Sequence, residues 1–175
     1  MKLSILFLSL IVSILVLQGC GAKNATTQAQ VAKKYQRFQS VPPPKAILLQ
    51  KGEKKTSCAI CGMHLPSFYK TNHTAYTKYG TRQYCSLHCL VHDNELNKTD
   101  LSNVMVVDTV TLKFIPALKA YYVVGSSKPG TMSKISKYAF GSKADAEAFA
   151  KKHGGKVMGF YEAYDIAIKD FVKKQ

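Results

Sequence analysis

The chain has 175 residues, of which 46% are hydrophobic, and it carries 25 Lys and Arg residues against 10 Asp and Glu residues. The formal net charge of +15 favours an anionic partner, either a membrane surface or an acidic protein. Nucleic acid is excluded as a partner because the first residues direct the chain out of the cytoplasm.

The first residues form an export signal. Lys2 precedes an apolar run over residues 3–17, which at about 15 residues is shorter than the ~20 needed to cross a bilayer. The run ends in Leu17-Gln18-Gly19-Cys20, which resembles a bacterial lipobox. We expect residues 1–19 to be a lipoprotein signal peptide and Cys20 to be acylated, with a plain signal peptide or an uncleaved anchor as alternatives. The lipoprotein would be anchored to a membrane of the bacterial cell envelope and face the periplasm.

A polar tether is predicted next. Residues 20–45 are rich in Ala, Thr, Gln and Lys and end near Pro42-Pro43-Pro44, a composition typical of an extended, semi-rigid segment. A short amphipathic helix over residues 29–38 would fit inside it, but has too few apolar residues to form a core. Residues 46–175 are long enough for one compact domain.

The domain shows the same order of elements twice, over about residues 58–112 and 120–162. Each half has two strand-like segments, a helix and another strand, so the predicted fold class is α+β with two ββαβ units. In the second half, Ser142 predicts a helix N-cap and Gly154 the end of that helix. The predicted strands cover residues 58–65, 74–79, 83–84, 104–110, 121–125, 136–140 and 156–160, and the predicted helices cover residues 86–96, 142–152 and 161–173.

Apart from Cys20, the chain has four cysteines, which form two close pairs, Cys58-x2-Cys61 and Cys85-x3-Cys89. Disulfides are one interpretation in an oxidising compartment, but a bond between Cys58 and Cys61 would close a small loop and stabilise the fold little. A thioredoxin-type redox site is disfavoured because Gly62, rather than a helix, follows Cys61. The spacing therefore predicts a metal site, and four thiolates are also the ligands of a closed structural zinc site.

The second cysteine pair is accompanied by two histidines. If Cys85 begins a helix, Cys89 and His92 follow at positions i+4 and i+7, and His88 lies beside them at i+3. These four side chains would then share about two turns of one helix. We therefore include both histidines among the candidate ligands.

Two methionines and a third histidine extend the candidate set. Met63 and His64 directly follow the first cysteine pair, and Met132 lies in a loop beside Pro129 and Gly130. A structural zinc site gains nothing from a thioether, whereas a thioether beside thiolates shifts the preference toward Cu(I). Core packing is less expected for a methionine in such a loop. The candidate ion is therefore Cu(I), with Zn²⁺ as the alternative.

A series of motifs, in order along the chain, resembles the NosL family of nitrous oxide reductase accessory lipoproteins. The resemblance spans roughly residues 58–162, and its second half is the more specific part. The motifs are Cys61-Gly62-Met63, the loop from Val123 to Met132, Ala139-Phe140, Asp145-Ala146-Glu147-Ala148-Phe149 and His153-Gly154-Gly155-Lys156-Val157.

The resemblance implies a lipid-anchored Cu(I) metallochaperone, not an enzyme, that supplies copper to apo nitrous oxide reductase in the periplasm. It also implies a pair of ββαβ units similar to those of organomercurial lyase, with Cys61, Met63 and Met132 as Cu(I) ligands. The second cysteine pair departs from the commonest family pattern and is similar to the second half of TRASH-type metal-binding domains. One mixed copper site, two copper sites, or copper beside a structural zinc therefore remain open.

Two other functions fit the same residues. One is a zinc-stapled structural or interaction module of the TRASH type, whose basic surface docks an acidic partner without copper transfer. The other, by analogy of fold alone, is an enzyme of the organomercurial lyase kind. That enzyme would need a catalytic acid near the cysteines, and Asp93 is the candidate.

Overall fold

A computed structural model describes residues 37–171 of the chain. The predicted signal peptide, Cys20 and most of the predicted tether lie outside these residues. Within them, no helix is both long enough and apolar enough to cross a membrane.

The first half of the domain is a four-stranded antiparallel sheet with one helix. The sheet order is β2-β1-β3-β4, so that β1 lies between the two strands that follow it in the chain. The helix α1 continues into one π-helical turn at His92–Leu96 before the chain reaches β3. The elements are β1 (His73–Thr77), β2 (Gly80–Tyr84), α1 (Leu87–Val91), β3 (Ser102–Val107) and β4 (Phe114–Pro116).

The second half repeats this topology in a three-stranded antiparallel sheet. The order is β6-β5-β7, which again places the first strand between the second and the third. The predicted pair of ββαβ units is therefore confirmed, with β4 added to the first unit and a final helix added to the second. The elements are β5 (Tyr121–Val124), β6 (Lys137–Phe140), α2 (Lys143–His153), β7 (Lys156–Met158) and α3 (Phe160–Ile168).

The helix α2 has Ser142 as its N-cap and ends before Gly154, as the sequence predicts. The Ser142 side chain accepts a hydrogen bond from the Asp145 backbone N–H at 3.1 Å, which satisfies one free donor of the first turn. At the other end the Gly154 N–H donates to Ala150 O at 2.7 Å, and Gly154 has φ +71°. Glycine adopts this left-handed conformation without a steric penalty, and so the helix ends there.

The predicted strand over residues 58–65 is wrong. This segment is a turn followed by a short 3₁₀ helix, Leu65–Thr71, and its strand-like pairing is a single bridge between Ser57 and His64. The segment bonds to itself, because the Cys58 N–H donates to Met63 O at 2.8 Å. The two leading strands of the first unit are therefore β1 and β2.

The C-terminal helix is shorter than predicted, because α3 ends at Ile168. The backbone N–H of Phe171 donates to Ile168 O at 3.0 Å, and this turn places Asp170 and Phe171 against α1.

The main core draws on both sheets and on α1 and α3. It includes Leu90, Val106, Tyr122, Ala163 and Ala167.

The last part of the predicted tether packs on the domain. The Phe38 ring meets Tyr138 edge to face at 5.2 Å, and Val41 is buried with Tyr69 and Val107. Two further 3₁₀ turns, Pro43–Lys45 and Ala117–Lys119, connect the neighbouring segments. The two sheets are joined by a bridge in which the Thr109 N–H donates to Ala139 O at 2.9 Å.

Candidate metal centre

The four cysteines that follow Cys20 in the chain converge on one point. Their sulfur atoms all lie within 4.8 Å of one another, and no pair of them forms a disulfide. The sulfur of Cys85 lies 3.5 Å from that of Cys61 and 3.6 Å from that of Cys89. We call these four residues the four-cysteine cluster.

The first cysteine pair is presented by a hydrogen-bonded turn. The Gly62 N–H donates to Cys58 O at 3.1 Å, and Gly62 has φ +72°, a conformation that favours glycine. The Ala59 N–H donates to Gln83 O at 3.0 Å, which holds the turn against β2. The sulfur atoms of Cys58 and Cys61 therefore meet the second pair, which follows the end of that strand.

The second pair is fixed by a helix N-cap. Cys85 lies between β2 and Ser86, and the Ser86 side chain accepts from the Cys89 N–H at 3.5 Å. Thr71 Oγ1 lies 2.7 Å from Cys85 O and 2.9 Å from Thr131 Oγ1, which links this backbone to the loop that precedes β6. Neither threonine was a candidate from the sequence, because a single hydroxyl leaves no local pattern.

The cluster is closed on most sides. Cys58, Cys85 and Cys89 are 4%, 0% and 1% exposed. Cys61 is partly exposed, and its neighbour Gly62 is exposed. A bound ion would therefore meet solvent on the side of Cys61.

Contacts among the sulfurs shift the pKa values of three of the four cysteines. Hydrogen bonds from the thiols of Cys85 and Cys89 lower the pKa of Cys58, against the effect of burial. The same contact with Cys58, followed by the contact with Cys89 and burial, raises the pKa of Cys85. The pKa of Cys89 is raised mainly by its contact with Cys58. Because further deprotonation is unfavourable without a compensating cation, the donor set fits a soft or borderline metal ion.

The other three candidate ligands, Met63, His64 and Met132, lie in different surroundings. Met63 is partly buried and packs against the main core, directly after the turn. The Nδ1 atom of His64 lies 3.0 Å from Ser67 Oγ. Met132 is 44% exposed with φ +59°, and it follows Thr131, which is bonded to Thr71 beside Cys85.

The two histidines near the second pair lie outside the four-cysteine cluster. His88 Nδ1 is 3.3 Å from Asp170 Oδ2, and its ring stacks on Phe171 at 4.3 Å. His92 meets the same ring edge to face at 5.6 Å. The predicted helix face does not form because Cys85 precedes the N-cap and is not helical. Spacing within a helix therefore does not relate Cys85 to either histidine.

The side chain of Asp93 is held by a network of buried and partly buried hydrogen bonds. Its carboxylate is fully buried and accepts from Arg82 at 2.7 Å, Tyr84 at 2.9 Å and Thr99 at 2.8 Å. Burial raises the pKa of Asp93, but these hydrogen bonds together lower it below the usual value. The carboxyl is therefore ionised near neutral pH and has no proton to donate as a catalytic acid.

Comparison with known proteins shows which family the chain resembles. The NosL family profile matches residues 50–167. The copper-binding lipoprotein NosL of Stutzerimonas stutzeri is 29% identical over 128 residues, covering 67% of each chain. The crystal structure of the copper chaperone NosL from Shewanella denitrificans superposes with a TM-score of 0.52 at 28% identity, covering 69% of this chain and 96% of that one. The protein therefore belongs to the NosL family.

Proposed function

We propose that this protein binds Cu(I) at the four-cysteine cluster and passes the ion to apo nitrous oxide reductase. The observation that carries the proposal is the convergence of four sulfurs, three buried and one at the surface. Its two relatives are described as a copper-binding lipoprotein and a copper chaperone, which supports copper as the cargo. Acylation of Cys20 would hold the domain at a membrane of the cell envelope, facing the periplasm.

Transfer would take place through Cys61, the most exposed of the four cysteines. Cu(I) is satisfied by two or three soft ligands, so an incoming ligand can bind before an outgoing one leaves. In one exchange a bond from copper to Cys61 breaks while a bond to an acceptor thiolate forms. The acceptor thiol loses its proton, Cys61 takes up a proton, and the copper remains Cu(I). No bond in a substrate is changed, which is the action of a chaperone and not of an enzyme.

The ligand assignment predicts a large effect of one substitution. In Cys61→Ser we expect Cu(I) affinity to fall by more than about 100-fold, because changes to groups that only orient a ligand already cost roughly 10- to 100-fold. The measurement is competition for Cu(I) against a chromophoric chelator, using the reduced full chain without oxygen. Equal affinity in Cys61→Ser and the unmodified protein would overturn the site.

Met63 is the thioether nearest in sequence to the cluster, and its contribution can be separated from its packing. We expect Met63→Leu to weaken Cu(I) binding in the same competition assay. Met158→Leu is the matched control, because Met158 is also partly buried and packs against the same core. Equal loss in both variants would indicate that Met63 acts through packing alone.

The second candidate function, a zinc-stapled interaction module, is favoured by one observation. Tetrahedral zinc with sulfur at about 2.3 Å places neighbouring sulfurs about 3.8 Å apart, close to the separations of the four-cysteine cluster. Growth by nitrous oxide respiration in a deletion strain, with and without added copper, separates the two functions. We expect growth to fail without the protein and to be restored by excess copper. Unchanged growth would favour the zinc module.

A further inference from the structure

A shallow depression lies beside the first cysteine pair. Its lining includes Cys58, Ala59, Ile60 and Gly62 of the turn. The rest of the lining is polar or basic and consists of Gln50, Lys51, Lys54, Ser57 and Thr81. Ala59 and Gly62 are exposed, and the partly exposed Cys61 lies between Ile60 and Gly62 in the chain.

The basic side of the depression is held in place by hydrogen bonds. The Gln50 side chain donates to Lys54 O at 2.9 Å and to Ser57 O at 2.5 Å, and its oxygen accepts from the Gln83 N–H at 3.0 Å. The loop that carries both lysines is therefore tied to β2, the strand that also holds the cysteine turn. A partner would meet a preformed surface, and would not have to order it on binding.

The charge of this surface is uncompensated. Lys51 and Lys54 are exposed, and neither forms an ion pair with any residue between 37 and 171. Glu53 is exposed on the same loop but is not part of the lining. An approaching group would therefore experience a local excess of positive charge beside the first cysteine pair.

We propose that this depression docks the acidic surface of the protein that exchanges copper with the cluster. The inference rests on the proposed function and adds the face and the charge of the partner. An acidic protein is favoured over a bilayer because the surface is concave and has Cys58 of the four-cysteine cluster in its lining. A projecting acidic segment can enter such a surface, whereas a flat membrane would cover it. Complementary charge here would steer the acceptor's ligands toward the first cysteine pair.

The test measures copper transfer to two synthetic acceptor peptides with the same pair of cysteines. One peptide has flanking glutamates and the other flanking lysines. The donor is the full chain loaded with Cu(I), either unmodified or carrying Lys51→Glu with Lys54→Glu. The control carries Lys151→Glu with Lys152→Glu, which makes the same change in net charge on exposed positions of α2, against the second sheet.

We expect the charge reversal at Lys51 and Lys54 to slow transfer to the acidic peptide by about tenfold. The control variant should change that rate far less, and transfer to the lysine-flanked peptide should not slow. Added salt should remove the difference between the variants.

Equal slowing by both double variants, or by neither, would overturn the docking surface. Loss of binding to vesicles of anionic lipid in the Lys51 and Lys54 variant, with peptide transfer unchanged, would overturn it in favour of a membrane contact. Cu(I) affinity is measured first in all three proteins and should be the same. Failure of the unmodified chain to bind Cu(I) would instead contradict the proposed function.

Discussion

At the scale of single residues, Asp93 connects the two elements that carry the second cysteine pair. Tyr84, which donates to this carboxylate, directly precedes Cys85, and Asp93 lies four residues after Cys89. The buried ion pair with Arg82 at 2.7 Å holds the arrangement together. Asp93 thus joins β2 to the turn after α1, and its ionised carboxyl does not fit the role of the catalytic acid considered from the sequence.

Replacing Asp93 by Asn should lower the free energy of unfolding by roughly 3 kcal/mol. This value is at the lower end of the cost of breaking a buried ion pair, because Arg82 keeps some contact with water. Urea unfolding of the reduced protein measures the change. Asp100→Asn, at an exposed position in the same half, should stay within about 0.5 kcal/mol of the unmodified protein. A loss in Asp93→Asn no larger than in Asp100→Asn would contradict the structural role.

The effect of Asp93 should also depend on pH. Its pKa is lowered in the folded state, so its stabilisation is present above the ordinary value of 3.8 and is lost as pH falls through the lowered value. The difference in unfolding free energy between the unmodified protein and Asp93→Asn should therefore be constant near neutral pH and shrink below about pH 4. A difference that grows on acidification would have the wrong sign for this model.

At the scale of elements, the turn between α2 and β7 shows how two adjacent glycines serve different purposes. A Cβ atom on Gly155 would lie 2.9 Å from Val124 O, whereas one on Gly154 would meet open space. Both have positive φ, so both resist substitution through the backbone. Gly155 alone is also required for the close approach of this turn to the end of β5.

We expect Gly154→Ala to cost about 2 kcal/mol, because Gly154 has φ +71° and ψ −172°, a backbone region almost confined to glycine. Gly155→Ala should cost clearly more, roughly 3 kcal/mol, because the methyl group contacts backbone that cannot easily move. Thermal unfolding of the two variants side by side gives the comparison, with Gly154→Ala serving as the control for backbone strain. Equal costs would show that the turn shifts freely.

Elements defined by local chemistry could be read from the sequence, while those defined by distant contacts could not. Ser142 and Gly154 mark α2 because a cap is a short-range feature. The sequence predicts a strand around Cys58, yet this segment turns because its hydrogen bonds run to Met63 and to Gln83 on β2. The pairing of His88 with Asp170 depends on a turn after α3, more than 80 residues away, that no local pattern indicates.

At the scale of the whole molecule, the described residues contain three core clusters of buried apolar side chains. Cys58, Cys85 and Cys89 belong to the largest of them, together with apolar residues of both sheets and of α3. A copper chaperone must release its ion without unfolding, and this core would allow that. A zinc-stapled module, in contrast, would derive folding energy from its ion.

Metal removal should therefore separate the two functions. We expect the reduced, metal-free protein to remain folded. Cu(I) should raise its thermal midpoint, because a ligand that binds the native state at 100 times its Kd adds about 2.7 kcal/mol to the free energy of unfolding. Circular dichroism during chelation and reloading is the measurement. Cys89→Ser, which removes a buried sulfur, should abolish the shift. Loss of structure on chelation would favour the zinc module.

The sequence by itself determined the repeated ββαβ pattern, the caps of α2, the close spacing of the cysteines and the likeness to the NosL family. These depend on periodicity, on local turn chemistry and on short motifs, all of which are written within a few neighbouring residues. Only the tertiary structure decided that four sulfurs meet, that His88 and His92 face Phe171, and that Lys51 and Lys54 line a depression together with Cys58. Those arrangements depend on hydrogen bonds and packing between segments far apart in the chain, whose partners are set by the fold as a whole.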